Sequence, residues 1–342
     1  MSVTTTITQV NPRRSRPGGH SQVDRLLPRP LLVAANVVLC LLVFGPVSYM
    51  LFASINADVA VAGGAYWPTE LRLDNYIKVW RSVDLAGGLA NSLLICGAVA
   101  VVCAAVAVSM AWVLVRFTFI GRVTILRGLL GLQSVPGTLM LLPVFVMFST
   151  LSSVLRIPTI GTHWSVFVTY LTFALPFSTW VMVTYIRGLP RELEEAARID
   201  GASNFRVLTR IVLPLSWPGI VVSAIFAFLQ GWNDVLFASV MTNRDSRTAA
   251  VALQIFGATQ ETGAVPLYGQ MMAASLICAI PVVVLYLVFQ RYLVGGLTAG
   301  GVKCPRGSSQ DSVTRSIPIR PCRSPCSRHS ARSTSRCGVP GG

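Results

Sequence analysis

The chain has 342 residues, 53% hydrophobic and only 12% charged, against about 25% charged in an ordinary soluble domain. Its net charge of +15 would suit nucleic acid in a soluble protein. Here the basic residues lie between long apolar runs, which excludes that reading and indicates a membrane-embedded chain. Runs approaching the about 20 residues of a bilayer-crossing helix recur, and six spans are predicted, over about 31–53, 90–115, 124–150, 164–186, 214–238 and 271–292.

Residues 1–29 are polar, rich in Arg, Pro and Ser, and predicted to be disordered up to Leu26. A cleaved signal peptide over 1–57 is the competing reading. The apolar run exceeds a signal core and no clear small-x-small cleavage site follows it, so a retained first span is preferred. Residues 54–89 form the longest outer loop, with Tyr66-Trp67-Pro68 and Leu73-Asp74-Asn75-Tyr76. Trp67, Tyr76 and Trp80 suit interfacial anchoring in preference to substrate contact.

The second span carries Gly97, Ala98, Ala104, Ala105, Ala107, Ser109 and Ala111, a small-residue surface that lets membrane helices pack closely. The third contains Pro136 and Pro143, with Gly137 beside the first. Broken helices of this kind either line a transport path or kink for packing, and the residues leave both readings open. Pro176 in the fourth span and Pro281 in the sixth fall under the same pair of readings.

Between the fourth and fifth spans lies a polar island, Glu192 to Pro214, holding four of the chain's 13 acidic residues. Pro190 stands at a predicted helix start, and Glu192, Glu194 and Glu195 occupy the first turns, where the helix dipole favours negative charge. Gly201 supplies a left-handed stop, Ser203 a cap for a second short helix, and Pro214 its end or kink. Leu193, Ala196, Ala197 and Asp200 follow i, i+3, i+4, i+7 spacing and form one face with a small centre. Spacing alone describes an amphipathic connector that lies against the membrane domain or a partner.

The fifth span is predicted to start at Pro214 and to end near Gly231-Trp232-Asn233-Asp234. Asp234 would lie about 30 Å from Leu215, at the outer interface, and that placement is preferred over lining a cavity. Gln230 and Asn233, uncharged and slightly deeper, join Pro136 and Pro143 as candidates for a translocation path. Placing both termini and the loops after the second and fourth spans in the cytoplasm puts 22 of the 28 Lys and Arg there, and 15 against 6 without the tail. The positive-inside rule therefore selects six crossings of a cell membrane with both termini cytoplasmic, and puts the island in the cytoplasm.

Glu195-Ala196-Ala197, Asp200-Gly201-Ala202 and Ile211-x-Leu213-Pro214 together resemble the loop signature of permease subunits of binding-protein-dependent ABC importers. Leu73-Asp74-Asn75-Tyr76 through Asn91-Ser92-Leu93, and Tyr268-Gly269-Gln270 through Gln290-Arg291-Tyr292 to Val302-Lys303, resemble its carbohydrate-uptake class, the maltose or sugar type. The resemblance covers roughly Leu31 to Lys303. It implies an all-α integral membrane fold, the type I six-helix permease bundle over 30–303, with the loop 187–213 as a cytoplasmic coupling helix. Glu195, Ala196, Ala197, Asp200, Gly201, Leu213 and Pro214 would then dock an ATPase subunit. The implied partners are ABC ATPase subunits, a second permease subunit, an extracytoplasmic solute-binding protein that the 54–89 loop would face, a sugar substrate and membrane lipid.

Residues 304–342 are rich in Ser, Arg, Pro and Cys without hydrophobic period, and read as a disordered basic tail. Cys322-x-x-x-Cys326-x-x-His329 with Cys337 lacks the paired short spacings of a zinc site, so no metal is assigned. Cys40, Cys96, Cys103 and Cys278 fall in predicted spans and read as small apolar packing groups. No G-x-x-x-x-G-K-S/T run occurs, so no cofactor is expected in this chain and ATP with Mg would be bound by partner subunits. His20, His163 and His329 stand in unrelated segments with no nucleophile or acid-base set, so an enzyme is not expected. The expected function is import of a sugar or sugar-like solute by alternating access. Glycerol phosphate or another polyol is the alternative cargo. An ATP-independent channel or carrier is disfavoured because the spans hold almost no buried ionisable groups.

Overall fold

A computed structural model describes residues 29–82, 84–260 and 267–298. The expected N-terminal polar segment up to residue 28, the end of the carbohydrate-class resemblance at 299–303 and the basic tail lie outside the described residues. In chain order the helices are α1 (Arg29–Ser54), α2 (Asp58–Ala62), α3 (Asn75–Ser82), α4 (Leu85–Arg116), α5 (Arg122–Gln133), α6 (Gly137–Leu155) and α7 (His163–Arg187). They continue as α8 (Glu192–Ile199), α9 (Asn204–Val207), a π-helical turn (Leu208–Val212), α10 (Leu213–Leu215), α11 (Trp217–Trp232), α12 (Leu236–Met241), α13 (Ala249–Gln260) and α14 (Tyr268–Thr298). Among the described residues the fold is all helix, apart from one isolated bridge between Gly161 and Thr242.

Five helices, α1, α4, α6, α7 and α14, are long and apolar enough to cross a bilayer. A sixth crossing exists only if Asn204–Leu215 and Trp217–Trp232, bent by 78° to each other, count as one. Two of the sequence-based boundaries change. The helix expected over 124–150 is two, α5 and α6, because Pro136 has no amide hydrogen to continue α5 and holds extended backbone (φ −57°, ψ 127°) where α6 begins. The helix expected over 214–238 starts instead at Trp217 and stops at Trp232. Pro218 in its first turn has no N–H to bond back to Pro214, so the chain turns at Ser216. At the other end the Asp234 carboxylate accepts from Ala238 N at 3.1 Å and starts α12 as a separate helix. Sixteen residues of α11 span only about 24 Å.

The core forms where α4, α7 and α11 pack together. Of the small residues on α4, Ala104, Ala107 and Ala111 are buried in this seam, while Ala98, Ala105 and Ser109 face outward. Glycines on α11 do the same from the opposite side. A Cβ on Gly231 would stand 2.8 Å from the Tyr170 ring and 3.1 Å from Cys96 Sγ, and one on Gly219 would stand 2.7 Å from the Tyr185 ring. The helices therefore approach to a distance that a single methyl group would prevent.

Tyr170 OH donates to Asp234 at 2.9 Å, so the carboxylate expected at an interface is held half-buried as a cap and a tyrosine partner. The two sequence motifs of the 54–92 region are mostly internal ties. Asn75 is buried and donates to Ser54 O and Asn56 O, both at 3.0 Å. Gly269 N donates to Asp58 Oδ1 at 2.8 Å, and a Cβ there would stand 2.7 Å from Asn75 Nδ2. Asn91 Nδ2 donates to Asp245 O and Arg247 O at 3.0 Å each, and Ser92 Oγ accepts from Ala249 N at 2.8 Å. The loop after α1 is thus fastened to the start of α14. Its exposed remainder carries the Lys78–Asp74 ion pair, which holds the Asp74 carboxyl below its ordinary range. Trp67, 68% exposed, packs on Phe52 with ring centroids 5.2 Å apart.

Candidate functional site

The polar island folds as its residues dictate. Glu192, Glu194 and Glu195 fill the first turn of α8 and Arg198 its last, matching charge to the helix dipole at both ends. Gly201 ends it at φ +80°, a conformation most side chains avoid, and Ala202 N reaches back to Ala197 O at 2.9 Å. Ser203 Oγ accepts from Arg206 N at 3.4 Å and starts α9. The chain then widens into the π turn, a form that recurs at functional sites, before the bend into α11.

The expected single face of α8 divides in two. Ala197 turns inward and packs with the core of α4 and α7, while Leu193, Ala196 and Asp200 face away from the bundle. The inward partner of Ala197 is Glu194, three residues earlier and 3% exposed. Its Oε1 accepts from Arg116 Nε at 2.7 Å, and its Oε2 accepts from Trp112 Nε1 at 3.2 Å. Arg116 also donates from Nη2 to Leu189 O at 3.1 Å, and Arg198 Nη2 stands 3.7 Å from Glu194 Oε2. The Arg116 and Glu194 side chains are 5% and 4% exposed. A buried carboxylate is tolerable only when paired and hydrogen-bonded, and this one is both.

Besides the packing of Ala197 and the chain link to α7, two attachments connect α8 to the bundle. One is ionic, through Glu194 to the last turn of α4. The other is covalent, through α9, the π turn and α10 into α11. The two elements α8 is joined to in this way, α4 and α11, pack against each other. The opposite side of α8 presents an apolar and acidic surface. Leu193 and Ile199 of α8 are 47% and 86% exposed, beside exposed Glu192, Glu195 and Asp200, and Phe205 of the following α9 is 75% exposed.

Among the seven residues read from the signature, Glu195, Ala196, Asp200, Gly201 and Pro214 lie on the surface, and Ala197 and Leu213 pack inward. The sequence reading missed Glu194, Trp112 and Arg116. The available signal was an arginine closing an apolar span, with a glutamate i−3 from the one alanine of α8 that packs inward.

The four path candidates separate. Gln230 lines a cavity of about 340 Å³ between α5, α6, α7 and α11. Asn233 is an exposed C-cap of α11, Pro136 the exposed N-cap of α6, and Pro143 an exposed residue inside α6. None of these three lines that cavity.

Comparison with known proteins adds one family, two sequence relatives and two solved structures. The family described as "Binding-protein-dependent transport system inner membrane component" matches residues 104–298. The trehalose/maltose transport system permease protein MalG of Thermococcus litoralis is 32% identical over 283 residues, 82% of this chain and 99% of that protein. The trehalose transport system permease protein SugB of Mycobacterium tuberculosis is 31% identical over 260 residues, 75% of this chain and 92% of that protein. A solved bacterial ABC transporter involved in import of the acidic polysaccharide alginate superposes with TM-score 0.65 at 19% identity, over 80% of this chain and 99% of that one. A second alginate transporter structure, in complex with an alginate pentasaccharide-bound periplasmic protein, gives TM-score 0.58 at 15% identity, over 76% and 91%.

Proposed function

Because the chain belongs to the family of binding-protein-dependent transport system inner membrane components, we infer that it is the permease subunit of an ABC importer, moving a sugar or sugar-like solute by alternating access. The observation that carries this is the α8–α9 loop: α8 is held to α4 through Glu194 on one side, while Leu193 and Ile199 of α8 and Phe205 of α9 are exposed. Glu195, Ala196, Ala197, Asp200, Gly201, Leu213 and Pro214 belong to the ATPase-coupling loop. Ala197 and Leu213 seat it on the bundle, and the outward residues receive the partner. The sequence has no phosphate-cradling motif, so ATP and Mg are bound by partner ATPase subunits. Their closure draws the coupling helices of two permease subunits together, and α4 and α11 follow.

Relatives named for maltose and trehalose transport support the sugar reading, and the neighbour captured with a periplasmic protein supports a solute-binding partner. The arginine distribution supports cytoplasmic termini and a cytoplasmic α8 in a multi-pass cell-membrane protein. Two measurements test this. Detergent extraction of the tagged chain is expected to recover an ATPase and a second permease; recovery as a lone homo-oligomer sinks the reading. A Ser203→Cys variant is expected to react with an impermeant thiol reagent only in inside-out vesicles, and reaction from outside intact cells reverses the topology.

A further inference from the structure

A second cavity, of about 550 Å³, lies on the outward side of α4 between its last turns and the start of α5. Ala105, Val106, Ser109 and Val113 line it from α4, Ile125 from α5 and Phe119 from the turn between them. All are exposed, so the cavity is a groove open to whatever surrounds the bundle. Ser109 Oγ, the side-chain hydroxyl in its wall, already donates to Ala105 O at 2.9 Å. Along its length the groove therefore asks only for apolar contact. From Ala105 to Leu114 it follows α4 for about 14 Å, close to the about 15 Å that one leaflet contributes to a hydrocarbon core of about 30 Å.

The charge at its end is unbalanced. Arg116, which closes α4, is taken by Glu194. Arg122 is half-buried and donates from Nη2 to Val115 O at 3.5 Å, which sets its guanidinium beside the last turn of α4, at the mouth of the groove. Among the described residues no carboxylate pairs with it. The sequence offers none nearby either, since no Asp or Glu occurs between Asp84 and Glu192. A half-buried cation without a counter-ion favours an anion that arrives with the occupant. A helix from a partner subunit would have to bring a carboxylate to this point. A phospholipid carries its phosphate at the end of its chains, and basic pockets between spans on the cytoplasmic side take anionic headgroups.

We propose that this groove binds one anionic phospholipid of the cytoplasmic leaflet, with an acyl chain along Ala105, Ser109 and Val113 and the phosphate at Arg122. The lipid then lies against the same turns of α4 that hold Glu194 through Arg116, so its headgroup sits beside the fastening of α8. The assignment rests on the cytoplasmic placement of α8 above and is independent of which solute is carried.

The test uses the purified importer complex in phosphatidylcholine nanodiscs that contain photoactivatable phosphatidylglycerol or photoactivatable phosphatidylcholine, each with the reactive group in one acyl chain. Labelling of peptides covering 105–125, read by mass spectrometry, is expected to favour phosphatidylglycerol about fivefold, the preference that one arginine near an anionic headgroup gives. Arg122→Gln is expected to remove that preference and Arg122→Lys to keep most of it. Arg127→Gln, on the other side of α5 from Ile125, is expected to leave it unchanged. Ser109→Trp, which fills the groove, is expected to lower labelling by both lipids. If Arg122→Gln fails to assemble with the ATPase, the wild-type preference is read at about 1 M salt, where screening is expected to abolish it. Equal labelling by the two lipids, or a preference that survives Arg122→Gln or high salt, overturns the site. Labelling by neither lipid, with 105–125 cross-linked to the second permease instead, gives the groove to that subunit and overturns it as well. The Ser203→Cys reaction reads the topology separately: equal labelling with a cytoplasmic α8 overturns the lipid site alone, and reaction from outside overturns both.

Discussion

Glu194→Ala is expected to abolish ATP-driven uptake. The change leaves the Arg116 guanidinium, 5% exposed, with no carboxylate. Removing one partner of a buried ion pair costs about 3–5 kcal/mol. It also strands the Trp112 N–H that donates to Glu194 at 3.2 Å. The ionic attachment of α8 to α4 is then lost, leaving the packing of Ala197 and the chain links to α7 and α9. In purified complexes, ATP hydrolysis is expected to persist without transport, or the ATPase to dissociate. Replacing both partners by apolar residues, Arg116→Met with Glu194→Leu, removes the stranded charge, so the double variant is expected to assemble better than Glu194→Ala. Wild-type uptake by Glu194→Ala would show that the pair is dispensable for coupling.

Gly201→Val is expected to cut uptake at least tenfold in a complex that still assembles. At φ +80° an L side chain is strained, by roughly 1–2 kcal/mol for an ordinary residue and more for a β-branched one. No atom lies within 4 Å of the position a Cβ would take, so the strain is conformational and not a collision. It is relieved by re-aiming the turn between α8 and α9, which moves Ile199 and Phe205 relative to each other. Gly201→Asn, which tolerates the left-handed region, is expected to retain most uptake. Equal loss in both variants would mean that backbone conformation is not what Gly201 supplies.

Much of the loop between α7 and α11 was legible because its signals are local. An acidic first turn, a glycine stop and a serine cap each act within four residues, and each appears where the sequence placed it. The division of α8 was not legible. Leu193, Ala196, Ala197 and Asp200 share a helical face by spacing, but which side meets the bundle depends on Trp112 and Arg116, some 80 residues away. The sequence left open how Pro136 interrupts the third span and put the start of the fifth at Pro214, whereas the chain breaks before Gly137 and turns at Ser216. Hydropathy runs through both, and whether a proline bends or interrupts a membrane helix is decided by what the freed groups meet.

Composition and the placement of arginines determined that this is a multi-span helical membrane protein with a polar loop on its basic side, because desolvating charge and unpaired backbone is so costly that few alternatives exist. The local order of residues also determined the helices and stops of that loop. Only the tertiary structure decided which residues act on one another: that Glu194 is the hook onto α4, that Asn75 is a buried tie to Ser54 and Asn56, and that Gln230 alone of four candidates reaches the cavity between α5, α6, α7 and α11. Such pairings come from helices packed at close range, and the distance between two side chains across a seam is not encoded in the spacing along either one.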